Sequence, residues 1–267
     1  MIFFFLQERP LENLINVNLR YCKFITKLPK LWAPNLDYLD LAYCENLVEI
    51  DECFGSLEKL RAWVLVDCRK LQILPSQLRL KSLYYFSLTG CSSLEELPNF
   101  HQEMECLKTL ELDGSGIREL PSSIEHLTTL KELDLFGCKN LRYLPDSIYK
   151  LQQLQELVTP TVKLRPTCNS FDGSSGYGFV NMTELDLLMK PDYFPALKEI
   201  VLSGTNIVTI PESISRFPRL IELNVMNCKL LREIQGLPQS IRRVDVDDSM
   251  LLNTSPSGLF NQVSLFL

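Results

Sequence analysis

The sequence predicts an α/β solenoid. One long coil of short repeats carries a parallel β-sheet on its concave side, with short helices, 3-10 turns and loops on its convex side. Three observations predict it. The pattern Leu-x-x-Leu-x-Leu-x-x-Cys, with substitutions, begins at Leu14, Leu36, Leu60, Leu83, Leu107, Leu130, Leu197, Leu220 and Ile241. Its steps are 22, 24, 23, 24 and 23 residues, then 67, then 23 and 21. A hydrophobic residue followed by proline recurs behind the cysteine, as at Pro29, Pro75 and Pro145.

A period in the low twenties with this leucine spacing is the signature of leucine-rich repeats. In Leu107-Leu110-Leu112 the last two leucines are two apart, so both point to one face of a short strand. Glu111 and Asp113 point to the other. Each strand pairs with its equivalent one repeat on, and the inner leucines form a core that no single repeat could bury. A degenerate register at Leu154 partly fills the long gap.

The ninth position of the pattern lies where the strand ends and the chain turns inward. Cys22, Cys44, Cys68, Cys91, Cys138 and Cys228 fill it, with Ser115, Thr205 and Ser249 in the other registers. All are small and carry a donor, so a stacked ladder can bond backbone carbonyls left open by the turn. Buried thiols suit a core, and the ladder reads as structural rather than as a redox or metal cluster.

Behind Pro121, Pro145 and Pro211 the chain reads alike. Proline opens a helical turn, since it has no amide hydrogen to lose, and a nearby Ser or Asp can cap it. Ile124, Leu127 and Leu130 then fall three apart, as do Ile148, Leu151 and Leu154, and Ile214, Phe217 and Leu220. That spacing gives one apolar stripe on the convex side.

The regularity divides the chain into five parts. Residues 1–13 are an N-terminal flank, 14–157 repeats, 158–196 an irregular insertion, 197–252 repeats and 253–267 a C-terminal flank. The insertion is rich in Pro, Gly and Ser, which favour loop. Its "DGSSGYG" lacks the Gly-Lys-Ser/Thr of a phosphate loop. Neither end offers the polar cap a solenoid needs, so the chain is expected to be part of something longer, its N-terminal flank truncated.

Composition narrows the function. The net charge of −6 over 267 residues argues against a nucleic-acid binder. The apolar opening, Ile2 to Leu6, is too short for a membrane span and has no basic flank or cleavage site. Nine cysteines, no two of them three apart, suit neither a zinc site nor a fully paired secreted framework. No metal and no cofactor is expected, and the reading is a reducing compartment: the cytoplasm, with the nucleus open as well. The sequons at Asn181 and Asn253 would matter only in a secreted chain.

"LDLAYCENLVEI", "GCSSLEELPNF" and "LDGSGIRELPSSIEHLTTLKELDLFGCKNLRYLPDSIYKL" carry a close resemblance. They resemble the leucine-rich-repeat region of plant intracellular immune receptors with a Toll/interleukin-receptor-type domain and a nucleotide-binding switch. The resemblance covers about Leu11 to Leu252. It implies a protein-recognition module, binding a pathogen effector or a guarded host protein, or restraining the switch domain of a longer receptor. This chain holds no Walker-type nucleotide motif, so recognition alone is implied. A cytosolic leucine-rich-repeat scaffold without an immune role is the alternative.

On this geometry the concave face is legible as a partner-binding surface. Its first third is aromatic and mixed, with Arg20, Tyr21, Tyr38, Asp40, Tyr43 and Tyr85 as contact candidates. Later the chemistry turns acidic: Glu111, Asp113, Glu132, Asp134, Phe136, Glu199, Glu222, Met226, Asp245 and Asp247, with Arg243 the one base among them. Aromatics on a displayed face suit hot spots, and adjacent like charges call for a basic partner. No catalytic residue is expected. The two histidines, His101 and His126, fall off the concave face and read as surface residues.

Overall fold

The computed structural model describes residues 9–28, 30–141, 144–158 and 193–247. Ten three-residue strands form one parallel sheet, each paired with the equivalent strand of the next coil. In order they are Asn16–Asn18, Tyr38–Asp40, Ala62–Val64, Tyr85–Ser87, Thr109–Glu111, Glu132–Asp134, Glu156–Val158, Glu199–Val201, Glu222–Asn224 and Arg243–Asp245. The nine spaced registers each supply one. The tenth, Glu156–Val158, comes from the degenerate register at Leu154. It pairs with Glu132–Asp134 on one side and directly with Glu199–Val201 on the other. The sheet therefore runs on across the long step. Most of the expected 158–196 insertion, like Ser249, Asn181 and Asn253, lies outside the described residues.

The strands alternate as the sequence requires. Leu110, Leu112, Leu133 and Leu135 are fully buried, while Glu111, Glu132 and Asp134 face outward. The core is one continuous cluster along the array. Trp63 and Phe86 replace leucine in two adjacent coils and stack at 5.2 Å between ring centroids.

On the convex side, expected short helices appear only as 3-10 turns among the described residues: Glu52–Ser56, Ser122–His126, Asp146–Lys150 and Glu212–Arg216. An α-helix is about 10 Å across, twice the strand spacing, so a tighter turn keeps neighbouring coils close. Two-residue parallel strands fill the equivalent place elsewhere, such as Gln77–Leu78 against Asn99–Phe100. Pro121, Pro145 and Pro211 stand at the N-cap itself, with extended backbone and no side-chain cap. Their carbonyls accept from Ile124, Ile148 and Ile214 at 3.0, 3.0 and 3.1 Å. Side-chain capping occurs only where the cap is not proline: Asp51 Oδ1 accepts from Cys53 N at 3.0 Å. The apolar stripes predicted behind the prolines are buried in all three turns.

Among the described residues no helix is long and apolar enough to cross a membrane.

Candidate functional site: the concave face and its ladder

The cysteine position is built as a ladder, and its five buried cysteines share one chemistry. The turn closes when the ladder residue's own N–H donates to the carbonyl three residues back. Cys22 N reaches Leu19 O, Cys44 N reaches Leu41 O and Cys68 N reaches Leu65 O, at 3.1 to 3.3 Å. A carbonyl has two lone pairs. The second is taken by the thiol of the next coil: Cys44 Sγ to Leu19 O at 3.1 Å, Cys68 to Leu41 at 3.1 Å, and Cys91 to Leu65 at 3.2 Å. Cys138 and Cys228 do the same toward Leu112 and Leu202 at 3.0 and 3.1 Å. Ser115 and Thr205, both buried, lie 3.4 Å from the thiols of Cys138 and Cys228. Burial pushes Cys44 and Cys138 up to about 11 and Cys68 up to about 12, so each keeps the proton it donates. Among the described residues no His, Cys, Asp or Glu cluster could hold a metal.

The residue just before each rung carries a signal the leucine spacing does not contain. Tyr21, Tyr43, Asp67 and Asn227 all have positive φ, between 54° and 61°, and so do Gly90, Gly114, Gly137 and Gly204. The chain must enter the left-handed region there to turn inward after the strand, which explains the recurring Gly-Cys and Gly-Thr pairs.

At the N-terminal end this turn sets a rim of the face. The Tyr21 and Tyr43 rings stack at 4.7 Å, 7° from parallel. The Arg20 guanidinium lies 5.7 and 5.6 Å from the two ring centroids. Arg20 Nη1 also donates to Asp40 Oδ2 at 3.2 Å, and Tyr38 Oη donates to the same oxygen at 3.1 Å. Asp40 Oδ1 accepts from Ala42 N at 2.9 Å. Asp40 is 1% exposed. It holds Arg20 and Tyr38 in place and offers no contact surface of its own. Tyr85 lies in a similar bridge, donating to Glu111 Oε2 at 2.6 Å, and burial followed by that bond pushes its phenol up to about 12.

The acidic half is more regular than the sequence list suggested. Glu132, Glu156, Glu199 and Glu222 occupy one row on four adjacent strands, in register. Neighbouring strands lie about 4.8 Å apart. Sequence reasoning missed Glu156, because its coil lacks the ladder residue that marks the others. The row ends at Thr109, whose hydroxyl donates to Glu132 Oε2 at 2.9 Å, and at Arg243. Arg243 leans along its own strand to Asp245 Oδ1 at 2.9 Å and reaches Glu222 Oε2 only at 3.9 Å. Burial, then Glu199 and Glu132, raises Glu156 above the usual carboxylate range. Burial, then Glu222, raises Glu199. In the next row, Asp134 is raised by burial and by Asp113 and Glu111, against the amide of Phe136 that donates to it at 2.8 Å. Asp113 is raised by burial, then Asp67 and Glu111. Phe136 and Met226 are exposed beyond these carboxylates. Asp247 Oδ2 accepts from Asn227 N at 2.6 Å and so braces the last described turn.

The two histidines are half-buried rather than fully on the surface. His126 Nδ1 bonds Phe100 O at 2.8 Å, and His101 Nδ1 accepts from Glu103 N at 3.3 Å. Both sit away from the concave strands.

A sequence model described as "Disease resistance protein RPS4B-like, leucine-rich repeats" matches residues 79–257. TMV resistance protein N of Nicotiana glutinosa is 27% identical over 92% of this chain and 26% of that protein. Disease resistance protein RPS4B of Arabidopsis thaliana is 26% identical over 87% of this chain and 20% of its own length. The chain thus spans about a quarter or less of these relatives. Among solved structures, the functional domain of InlJ from Listeria monocytogenes, described as including a cysteine ladder, has the same fold. It aligns with a TM-score of 0.60 at 17% identity, over 92% of this chain and 51% of that one. Matched over two thirds of its length, the chain belongs to the leucine-rich-repeat family of RPS4B-like disease resistance proteins.

Proposed function

We propose that the chain is the protein-recognition region of an intracellular plant immune receptor. It works in the cytoplasm, with the nucleus a second compartment. Its concave face binds a pathogen effector or a guarded host protein, and in a longer receptor the same face restrains the nucleotide-binding switch.

The observation that carries this reading is the in-register row of Glu132, Glu156, Glu199 and Glu222 beside Asp113 and Asp134. Carboxylates at strand spacing repel one another. A protein fold leaves such a row in place at some cost in stability, which a basic partner surface relieves on binding. Charge of this kind chiefly raises the association rate and fixes register. Among the described residues Glu132, Glu156, Glu199 and Glu222 line a cleft of ≈ 170 Å³, smaller than the roughly 300–1,000 Å³ of a small-molecule site, which suits contact with a protein surface rather than acid–base catalysis on an enclosed substrate.

The test is the triple variant Glu132→Gln, Glu199→Gln, Glu222→Gln, titrated against candidate basic effectors and against the nucleotide-binding region of a related receptor. We expect affinity to fall roughly tenfold or more at low salt, with a flatter dependence on ionic strength. Unchanged affinity and unchanged salt slope would sink the proposal.

A further inference from the structure

Tyr38, Ala62 and Tyr85 occupy one row on three adjacent strands of the concave sheet. Ala62 is too short to reach the height of its two neighbours, so the surface dips. Ala62 and Tyr38 also line a groove of ≈ 630 Å³ with Asp37, Arg61, Ser82, Tyr84 and Cys106. Tyr38 lines one side and Tyr84, 56% exposed, lines another. Cys106, the exposed thiol among the described cysteines, lines it too.

The charges at the mouth are already matched. The Arg61 guanidinium grips Asp37 with two hydrogen bonds, Nε to Oδ1 and Nη2 to Oδ2, the latter at 2.8 Å. A charged occupant would have to compete with that pair, and an uncharged one would not. Aromatic walls favour a flat ring in offset or edge-on contact, and a guanidinium at the edge favours the ring face. The coil spacing suits this. Tyr21 and Tyr43, one coil apart, already stack at 4.7 Å. A ring placed over Ala62 would stand one coil, about 4.8 Å, from Tyr38.

We propose that this groove takes one aromatic side chain of the bound protein, an indole or phenyl ring seated over Ala62. The proposal rests on the protein-recognition reading above and names the anchor that the aromatic half of the face would receive. The partner would then present an aromatic residue to the N-terminal coils and basic residues to the C-terminal ones.

The probe is N-acetyl-L-tryptophanamide, which carries the ring and no charge. The chain has four alanines, Ala33, Ala42, Ala62 and Ala196, so carbon-13 labelling of alanine methyls gives one reporter in the groove and three outside it. We expect the Ala62 methyl to move upfield and saturate while the other three hold still, with N-acetyl-L-alaninamide giving no shift. Saturating probe should also slow alkylation of Cys106 severalfold. Filling the groove by Ala62→Trp should abolish that protection, and unmoved Ala33, Ala42 and Ala196 methyls would show the variant still folded. A stationary Ala62 methyl, equal shifts at Ala196, or protection of Cys106 that survives in the variant would overturn the proposal. The carboxylate triple variant reports on the recognition reading separately, so the groove can fail while that reading stands.

Discussion

At Cys91 the thiol donates to a carbonyl, that of Leu65, which already accepts the amide of Cys68. Replacing it with valine removes this second donor while the Cys68 amide stays on the carbonyl, so Cys91→Val should cost about 0.5–1.5 kcal/mol. Cys91→Ser keeps a donor of the kind Ser115 supplies in the next coil and should cost less than valine; urea melts of the two variants check the order. One residue earlier, Gly90 has φ 74°, and a Cβ there would lie 2.6 Å from Asp67 Oδ1. The Asp67 carboxylate can swing aside, so Gly90→Ala should lower stability by about the 1–2 kcal/mol of left-handed strain. At this scale the sequence was half legible. The small donors marked the ladder, and the partnership with the preceding coil's carbonyl follows from their spacing. Asp40 was not legible as a buried brace, because its spacing equals that of the outward-facing Asp134. Only Arg20 and Tyr38 folding over it separate the two.

Along one strand the sheet looks ordinary; across four strands it is a line of negative charge. Glu156 and Glu199 have carboxyl groups raised above their ordinary range, by burial first and neighbouring acids second. A raised native value means the folded chain binds protons more readily than the unfolded chain. These groups therefore destabilise the fold once pH exceeds their native values, and they release that penalty as pH falls through them toward the unfolded range. Asp37 and Glu103, lowered by Arg61 and Arg79, work the other way and lose their contribution at more acid pH. Stability should thus rise on mild acidification from pH 7 and fall again below the ordinary carboxylate range. Glu156→Gln should raise stability at pH 7 by about 0.2–1 kcal/mol for each like-charged neighbour relieved. It should also flatten the mildly acidic limb in melts run across pH. The continuous row escaped sequence reading for one reason: the degenerate register at Leu154 lacks the rung residue that aligns the others, so Glu156 joins the row only once its strand pairs with both neighbours.

Over the whole molecule, each coil touches chiefly the coil before and the coil after, and stability is close to a sum of units and interfaces. A hole at the centre disturbs two well-formed interfaces, whereas Val17 in the first described strand is only partly buried. Leu133→Ala should cost about 2–5 kcal/mol. Val17→Ala should cost about 1 kcal/mol, since less apolar surface is lost. Chemical denaturation of both variants tests the difference. Fold class was the most legible level of all, because a period repeated nine times outweighs any local irregularity. The convex side was less so. Spacing by three fits an α-helix and a 3-10 turn equally, and the choice came from the distance between coils.

The ladder also has a direction. Each thiol reaches back to the coil before it, and the carbonyl it leaves behind is offered to the coil after. Each coil with a buried cysteine at the rung therefore presents a plug at one side, and the coil before it presents the socket. Such a unit can be duplicated, dropped or exchanged whole without reworking its neighbours. Length, and with it the reach of the concave face, can change by whole coils while the join chemistry stays constant.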